Sequence, residues 1–185
     1  MEQQLRIVAG VLVAVVAAFY AWKYFAAGET SDSPEGLARQ ALGASNPEEQ
    51  ELACAHLVVL AAKLNKPESP NPAREQLIQV FKESKVPSVR ATALRGLASI
   101  WDYDSMPLML DALGDESIEV RATAGQAVAH LLSLDPTLFD AAATSENRQA
   151  AVQGLRDRWQ DLKKPGKDGH SRLDLWKERL SQPNQ

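Results

Sequence analysis

Cysteine is almost absent from this chain. Cys54 is the one thiol in 185 residues, so neither an intrachain disulfide framework nor a zinc site built from cysteine pairs is available. Histidine is nearly as scarce. His56, His130 and His170 lie far apart in sequence, and none has a second ligand three or four residues on, the spacing that puts two donors on one helix face. Cys54 and His56 are two residues apart, which on a helix points them about 200° from each other and excludes a thiol–imidazole dyad. The glycines are single and scattered, with no run of the kind that cradles phosphate. Basic charge is also in deficit: 20 Lys and Arg stand against 24 Asp and Glu. A nucleic-acid binder needs the opposite balance to displace phosphate counterions. No segment alternates polar and apolar residues for long enough to make a strand. These absences predict a non-catalytic, all-α protein with no cofactor, no metal and no nucleic-acid partner.

Proline, by contrast, is unevenly placed. All ten prolines fall from Pro34 onward, and residues 7–22 carry no charge at all. The stretch Ile7 to Ala27 holds a single charge, Lys23. As a helix it would extend roughly 30 Å, the thickness of a bilayer's hydrocarbon core. Phe19, Tyr20, Trp22, Tyr24 and Phe25 gather around Lys23 at its C-terminal end, and Trp22, Lys23 and Tyr24 are the expected anchors in the headgroup zone. A single membrane-spanning helix over about 7–27 is therefore predicted within an anchor region 1–28. The rival reading is a signal peptide cleaved after Val16-Ala17-Ala18, against which the apolar run continues through five aromatics. Positive charge is nearly balanced across the span, by Arg6 and the amino terminus on one side and Lys23 on the other. The extracytoplasmic side is the reading adopted for the rest of the chain.

Residues 29–162 read as helical repeats. The pentapeptide Val-Arg-Ala-Thr-Ala occurs at Val89–Ala93 and again at Val120–Ala124, and self-similarity at such a period decides a fold before other signals do. In the same register, Gly96-Leu97 matches Ala127-Val128. A third copy places Arg148, Ala151 and Gly154-Leu155 at the corresponding positions, and a fainter earlier one runs through Leu52, Ala55, Val59 and Leu60. About four helical hairpins result. The second helices carry one apolar stripe each, Val89/Ala93/Gly96/Leu97/Ile100/Trp101 and Val120/Ala124/Ala127/Val128/Leu131/Leu132. The small residues at 93/124/151 and 96/127/154 would let neighbouring helices approach closely.

Ser33-Pro34, Asn46-Pro47, Asn71-Pro72 and Asp135-Pro136 each pair an N-cap residue with proline at the first helical position. Helices are predicted near 34–43, 47–64, 72–84, 87–102, 105–113, 117–133, 136–143 and 146–162. Lys163–Gly169 reads as a basic, turn-rich linker. Leu173, Trp176 and Leu180 then mark a helix that would cap the stack, completing a C-terminal region 163–185.

Paired short helices, a Val-Arg-x-x-Ala second helix and the acidic turn Asp115-Glu116 before it resemble HEAT repeats, most closely the short form of phycobilisome-lyase-like proteins. The likeness is carried by residues 87–160 and more faintly by 34–64; a generic helical bundle would share the same helices. It implies a small α-solenoid whose second helices line a concave, protein-binding side. Arg95, Ser99, Gln126, His130, Gln153 and Asp157 would then form rows on that face. The chain is thus expected to be a membrane-anchored scaffold or adaptor for a partner protein. Two alternatives remain: an accessory subunit of a membrane complex held partly by its anchor, and a lyase-like helper in attaching a prosthetic group. The arginine row 90/121/148 is expected to tie adjacent units together through carboxylates in the turns.

Overall fold

A computed structural model describes residues 33–66 and 69–181, with side chains as far as 178. The predicted span 7–27, with Trp22, Lys23 and Tyr24, and the side chain of Leu180 lie outside the described residues. Among the described residues no helix is long and apolar enough to cross a membrane.

Eight α-helices make up the described chain: α1 (Pro34–Gly43), α2 (Pro47–Leu64), α3 (Pro72–Glu83), α4 (Pro87–Ser99), α5 (Met106–Ala112), α6 (Ile118–Leu132), α7 (Ser145–Lys163) and α8 (Arg172–Ser181). Their starts are written in the sequence. Ser33 Oγ accepts from Gly36 N at 3.0 Å and Asn46 Oδ1 from Glu49 N at 2.8 Å. Asn71 Oδ1 accepts from Arg74 N at 3.3 Å. Each satisfies one orphan donor of a first turn in which proline supplies no N–H of its own. At the start of α8, Ser171 and Asp174 form a reciprocal cap: Asp174 N donates to Ser171 Oγ (3.0 Å) and Ser171 N to Asp174 Oδ2 (2.9 Å). The bond from the Ser171 hydroxyl, followed by that from its N–H, holds the Asp174 carboxyl below its ordinary pKa.

The helices pair into hairpins and the hairpins stack. The second helices α2, α4 and α6 pack side by side in a row, while α1 and α3 stack in the first layer and each hairpin closes on itself. Between the layers lies one continuous core. Leu57, Leu77, Leu94 and Leu97 are completely buried where the first two units meet, as are Met109, Leu113, Val128 and Leu131 in the third. Each such side chain contributes about 1.5–3 kcal/mol by leaving water. Gly96 marks the closest approach: a Cβ there would lie 2.6 Å from Val58 Cγ2 and 3.0 Å from Leu77 Cδ1.

Three expectations are corrected. The faint first copy was drawn through Leu52 and Val59, yet both are half exposed, and α2 buries Ala53, Cys54, Leu57 and Ala61 instead. That helix is apolar nearly all round, so periodicity alone cannot choose its inner face. The helix expected over 136–143 is a single 3-10 turn, Pro136–Leu138, after which Phe139 is extended. Asp135 caps only this turn, and Leu138 at its end is exposed. Phe139 folds back onto α6, where a Cβ at Gly125 would meet its ring at 2.7 Å. Finally, Gly154 has nothing within 4 Å of its added Cβ, because among the described residues no helix stacks on that side of α7.

Connections between units are held by named polar bonds. Arg74 Nε donates to Asp102 Oδ2 at 2.8 Å, and Asp102, with its side chain 5% exposed, also accepts from the Ser105 hydroxyl. Asn65 Nδ2 reaches the Ile100 carbonyl and Asn71 Nδ2 the Ala61 carbonyl. The basic segment after α7 is a tight turn: Pro165 pairs with Ser171 and Gly166 N donates to the His170 carbonyl at 2.8 Å. Gly169 takes φ 83° there, a backbone conformation L side chains resist. This turn sends α8 back onto the stack, burying Leu173 and part of Trp176.

Candidate functional site

Because α4 and α6 run side by side as second helices of successive units, residues at equivalent positions line up across their seam. Arg95 and Ser99 from α4 and Gln126 and His130 from α6 are all exposed. They surround one shallow groove of about 230 Å³, whose floor includes Ala98 and Ala127. The small floor residues follow from the repeat, since alanine at 98 and 127 lets the two helices sit close enough to leave an apolar trough between polar rims. Arg95 Nη2 donates to Thr92 Oγ1 at 3.1 Å. Ser99 Oγ is turned back onto its own helix, donating to the Gly96 carbonyl at 2.8 Å.

Gln153 and Asp157 are not part of this groove. They form an i,i+4 hydrogen bond of 2.8 Å on the exposed side of α7. Gln153 instead borders a second opening, between α5 and α7. The physical reason is the missing first helix of the fourth unit. With Phe139 filling the side of α6 at Gly125, α7 makes its main helix contacts with α5 and α8.

Sequence reasoning missed a distinctive residue beside the groove. Trp101, assigned to the core stripe, is 38% exposed. It sits just beyond α4 with φ 56°. Its N–H donates to the Ala98 carbonyl and the next N–H, of Asp102, to the Leu97 carbonyl, both at 3.1 Å, the bond pair that closes a helix through a left-handed residue. Glycine normally occupies that position; a bulky side chain costs about 1–2 kcal/mol. The consequence is a tryptophan swung out of the core, its ring centroid 4.4 Å from that of His130 at a tilt of 39°, so that an amphipathic aromatic stacks on a residue lining the groove. The absence of glycine after an apolar helix, in Ile100-Trp101-Asp102-Tyr103, was the available signal.

Cys54 belongs to the interior. It is fully buried, and its thiol lies 3.7 Å from the Val89 carbonyl across the seam of the first two units. Burial, reinforced by Glu51 and opposed by Arg95, pushes that thiol up to about 12, far from a nucleophile's range. Among the described residues no group of three His, Cys, Asp or Glu side chains converges as a metal site would require.

The arginine row has a regular geometry. Arg90 Nη1 donates to the Ser84 carbonyl in the turn leading into its own helix, and Nη2 reaches Asp115 Oδ1 in the next unit's turn at 2.8 Å. Arg121 repeats the scheme. Its Nη1 holds the Asp115 and Glu116 carbonyls of its own turn (2.9 Å each), while Nε and Nη2 hold the Ala141 carbonyl of the following unit at 3.1 and 3.0 Å. The forward partner is thus a carboxylate in one unit and a backbone carbonyl in the next.

Stacked helical hairpins, close-packed second helices and inter-unit arginines define a helical-repeat architecture. Residues 74–161 match the family model of HEAT repeats. The match is to HEAT repeats as such, and it starts in α3, so the first hairpin lies outside it. No curated protein and no solved structure matches the chain.

Proposed function

We propose that this protein is a non-catalytic scaffold or adaptor that holds a partner protein in the groove between α4 and α6, with the apolar run Ile7–Ala27 serving as a membrane anchor. The observation that carries the reading is the exposed Trp101, held in a left-handed conformation against His130, itself a lining residue of an alanine-floored trough. Tryptophan and arginine are the side chains that most often dominate protein interfaces, and here Arg95 lines the groove while Trp101 stacks on His130, which also lines it. Repeats of this kind commonly mediate protein interactions, and the stacking of second helices provides an extended surface for it. Anchoring would raise the local concentration of the scaffold at the bilayer.

The test is site-specific photocrosslinking in intact membranes, with the photoreactive residue at Ser99 or Gln126 in the groove and at exposed Lys82 on α3 as the reference. One discrete crosslinked partner is expected from both groove positions, absent from the α3 position and lost on Trp101→Ala. Capture that survives deletion of residues 1–28 assigns binding to the repeats. Capture that disappears with that deletion, while the repeats stay folded, replaces this reading with an accessory subunit held through its anchor. Carbonate extraction checks the anchor separately: release of the full chain into the supernatant would overturn it.

A further inference from the structure

The second opening, between α5 and α7, has a different character from the groove. Arg90 and Arg121 each hold their own turn and also the turn of the unit that follows. Arg148 does only the first: its Nη1 donates to the Ala143 carbonyl, and its Nε and Nη2 have no protein partner among the described residues. Arg148 is among the residues lining a pocket of about 380 Å³. Leu110, Leu113 and Val152 make its apolar floor, and Arg156 spans its rim to Asp111 at 2.6 Å. With Arg156 and Asp111 neutralising each other, one positive charge, that of Arg148, remains unmatched. The capping helix does not supply the missing partner. Among the described residues none of α8 lines this pocket, and Lys177 of α8 docks elsewhere, on Asp104 at 2.8 Å.

We propose that this pocket is a docking site for an acidic turn of a partner protein, seated in the space beside α5 that the fourth unit's missing first helix leaves open, and giving Arg148 a carboxylate as Asp115 gives Arg90 one. The chemistry of the occupant is set within the chain itself. Asp115 meets Arg90 at 2.8 Å while also accepting from Ser117 N at 2.8 Å, with Glu116 Oε1 3.5 Å from the same guanidinium. A short Asp-Glu-Ser turn is therefore the shape and charge that this row of arginines already holds once. A planar guanidinium with two unspent donor positions suits a carboxylate better than it suits a neutral carbonyl. The site is separate from the α4–α6 groove, and either can fail without the other.

The probe is the blocked heptapeptide LGDESIE, copying residues 113–119, titrated into the full-length isotope-labelled chain while the arginine Nε–H resonances are followed. The expected result is a saturable shift of the Arg148 resonance, with neighbouring shifts at Gln149 and Val152. Binding should weaken at least about tenfold for the peptide with Asn and Gln in place of its Asp and Glu, and by a similar factor for the Arg148→Gln chain. Absence of any shift at millimolar peptide, or equal binding of the acidic and neutral peptides, overturns the proposal. Should Arg148→Gln fail to fold, the peptide pair on the native chain still decides. Arg148→Lys then adds the geometry: a lysine that binds as tightly as arginine would also refute the forked contact.

Discussion

The third unit and the fourth carry the same sequence signature and lead to different structures. In both, an arginine opens the second helix, a small residue follows three positions on, and a glycine or alanine comes three after that. In the third unit every one of these positions is used. Arg121 clamps two turns, Ala124 is completely buried and Ala127 nearly so against the α4 seam. In the fourth unit Arg148 clamps one turn, Ala151 is only partly buried and Gly154 faces open space. What differs is the neighbour. A repeat position acquires its meaning from what packs against it: Gly96 and Ala127 meet the preceding unit, whereas α7 packs mainly on α5 and α8 and leaves Gly154 uncovered.

The sharpest way to break this contrast is at the arginines. Arg90→Ala removes a guanidinium that is 10% exposed and leaves Asp115, 14% exposed, without its counter-charge. A loss of about 3 kcal/mol in urea unfolding is expected. Arg148→Ala removes one bond to a local carbonyl and should cost under about 1 kcal/mol. Equal effects would mean that the row does not join units. A second, smaller contrast lies in the glycines. Gly96→Ala must displace Val58 and Leu77 and should destabilise by about 1–2 kcal/mol despite alanine's better helix propensity, whereas Gly154→Ala should stabilise by about 0.5–1 kcal/mol, read as opposite shifts in melting temperature.

A third prediction concerns the first seam of the stack, between α2 and α4. The folded chain keeps the Cys54 proton until about pH 12, while the unfolded chain loses it near 8.5. The thiol's contribution is thus fully present below about pH 8.5 and declines as pH rises toward 12. Urea unfolding between about pH 8 and 10.5 should show a fall steeper than that of Cys54→Ala by about 1 kcal/mol per pH unit. Parallel curves for the two proteins would show that the seam opens before the thiol titrates. Thiol reagents at neutral pH should react with Cys54 only as fast as the chain unfolds.

Much of the fold was legible because its signals are local. Serine or asparagine before proline marks a helix start whatever surrounds it, so α1, α2 and α3 begin where Ser33-Pro34, Asn46-Pro47 and Asn71-Pro72 place them. The apolar stripes of α4 and α6 were equally plain, since 3.6-residue periodicity is a property of one segment. Asp135-Pro136 carried the same local signal and produced only one turn, because Phe139 gained more by folding onto Gly125 than by continuing a helix. Leu52 and Val59 were misplaced for a related reason: an apolar helix offers several stripes, and the partner selects one. Of the candidate surface, Arg95, Ser99, Gln126 and His130 were readable from register, and Trp101 was not.

By itself, then, the sequence determined the all-α class, the helix starts, the repeat and the arginine row, since each follows from spacing along one chain segment. Only the tertiary structure decided which face of α2 is inside, that Trp101 turns outward to His130, that Gln153 and Asp157 part from the other four, and that Arg148 is left with donors to spare. Those outcomes depend on what packs against each segment, and packing is a relation between segments that no single stretch of sequence contains.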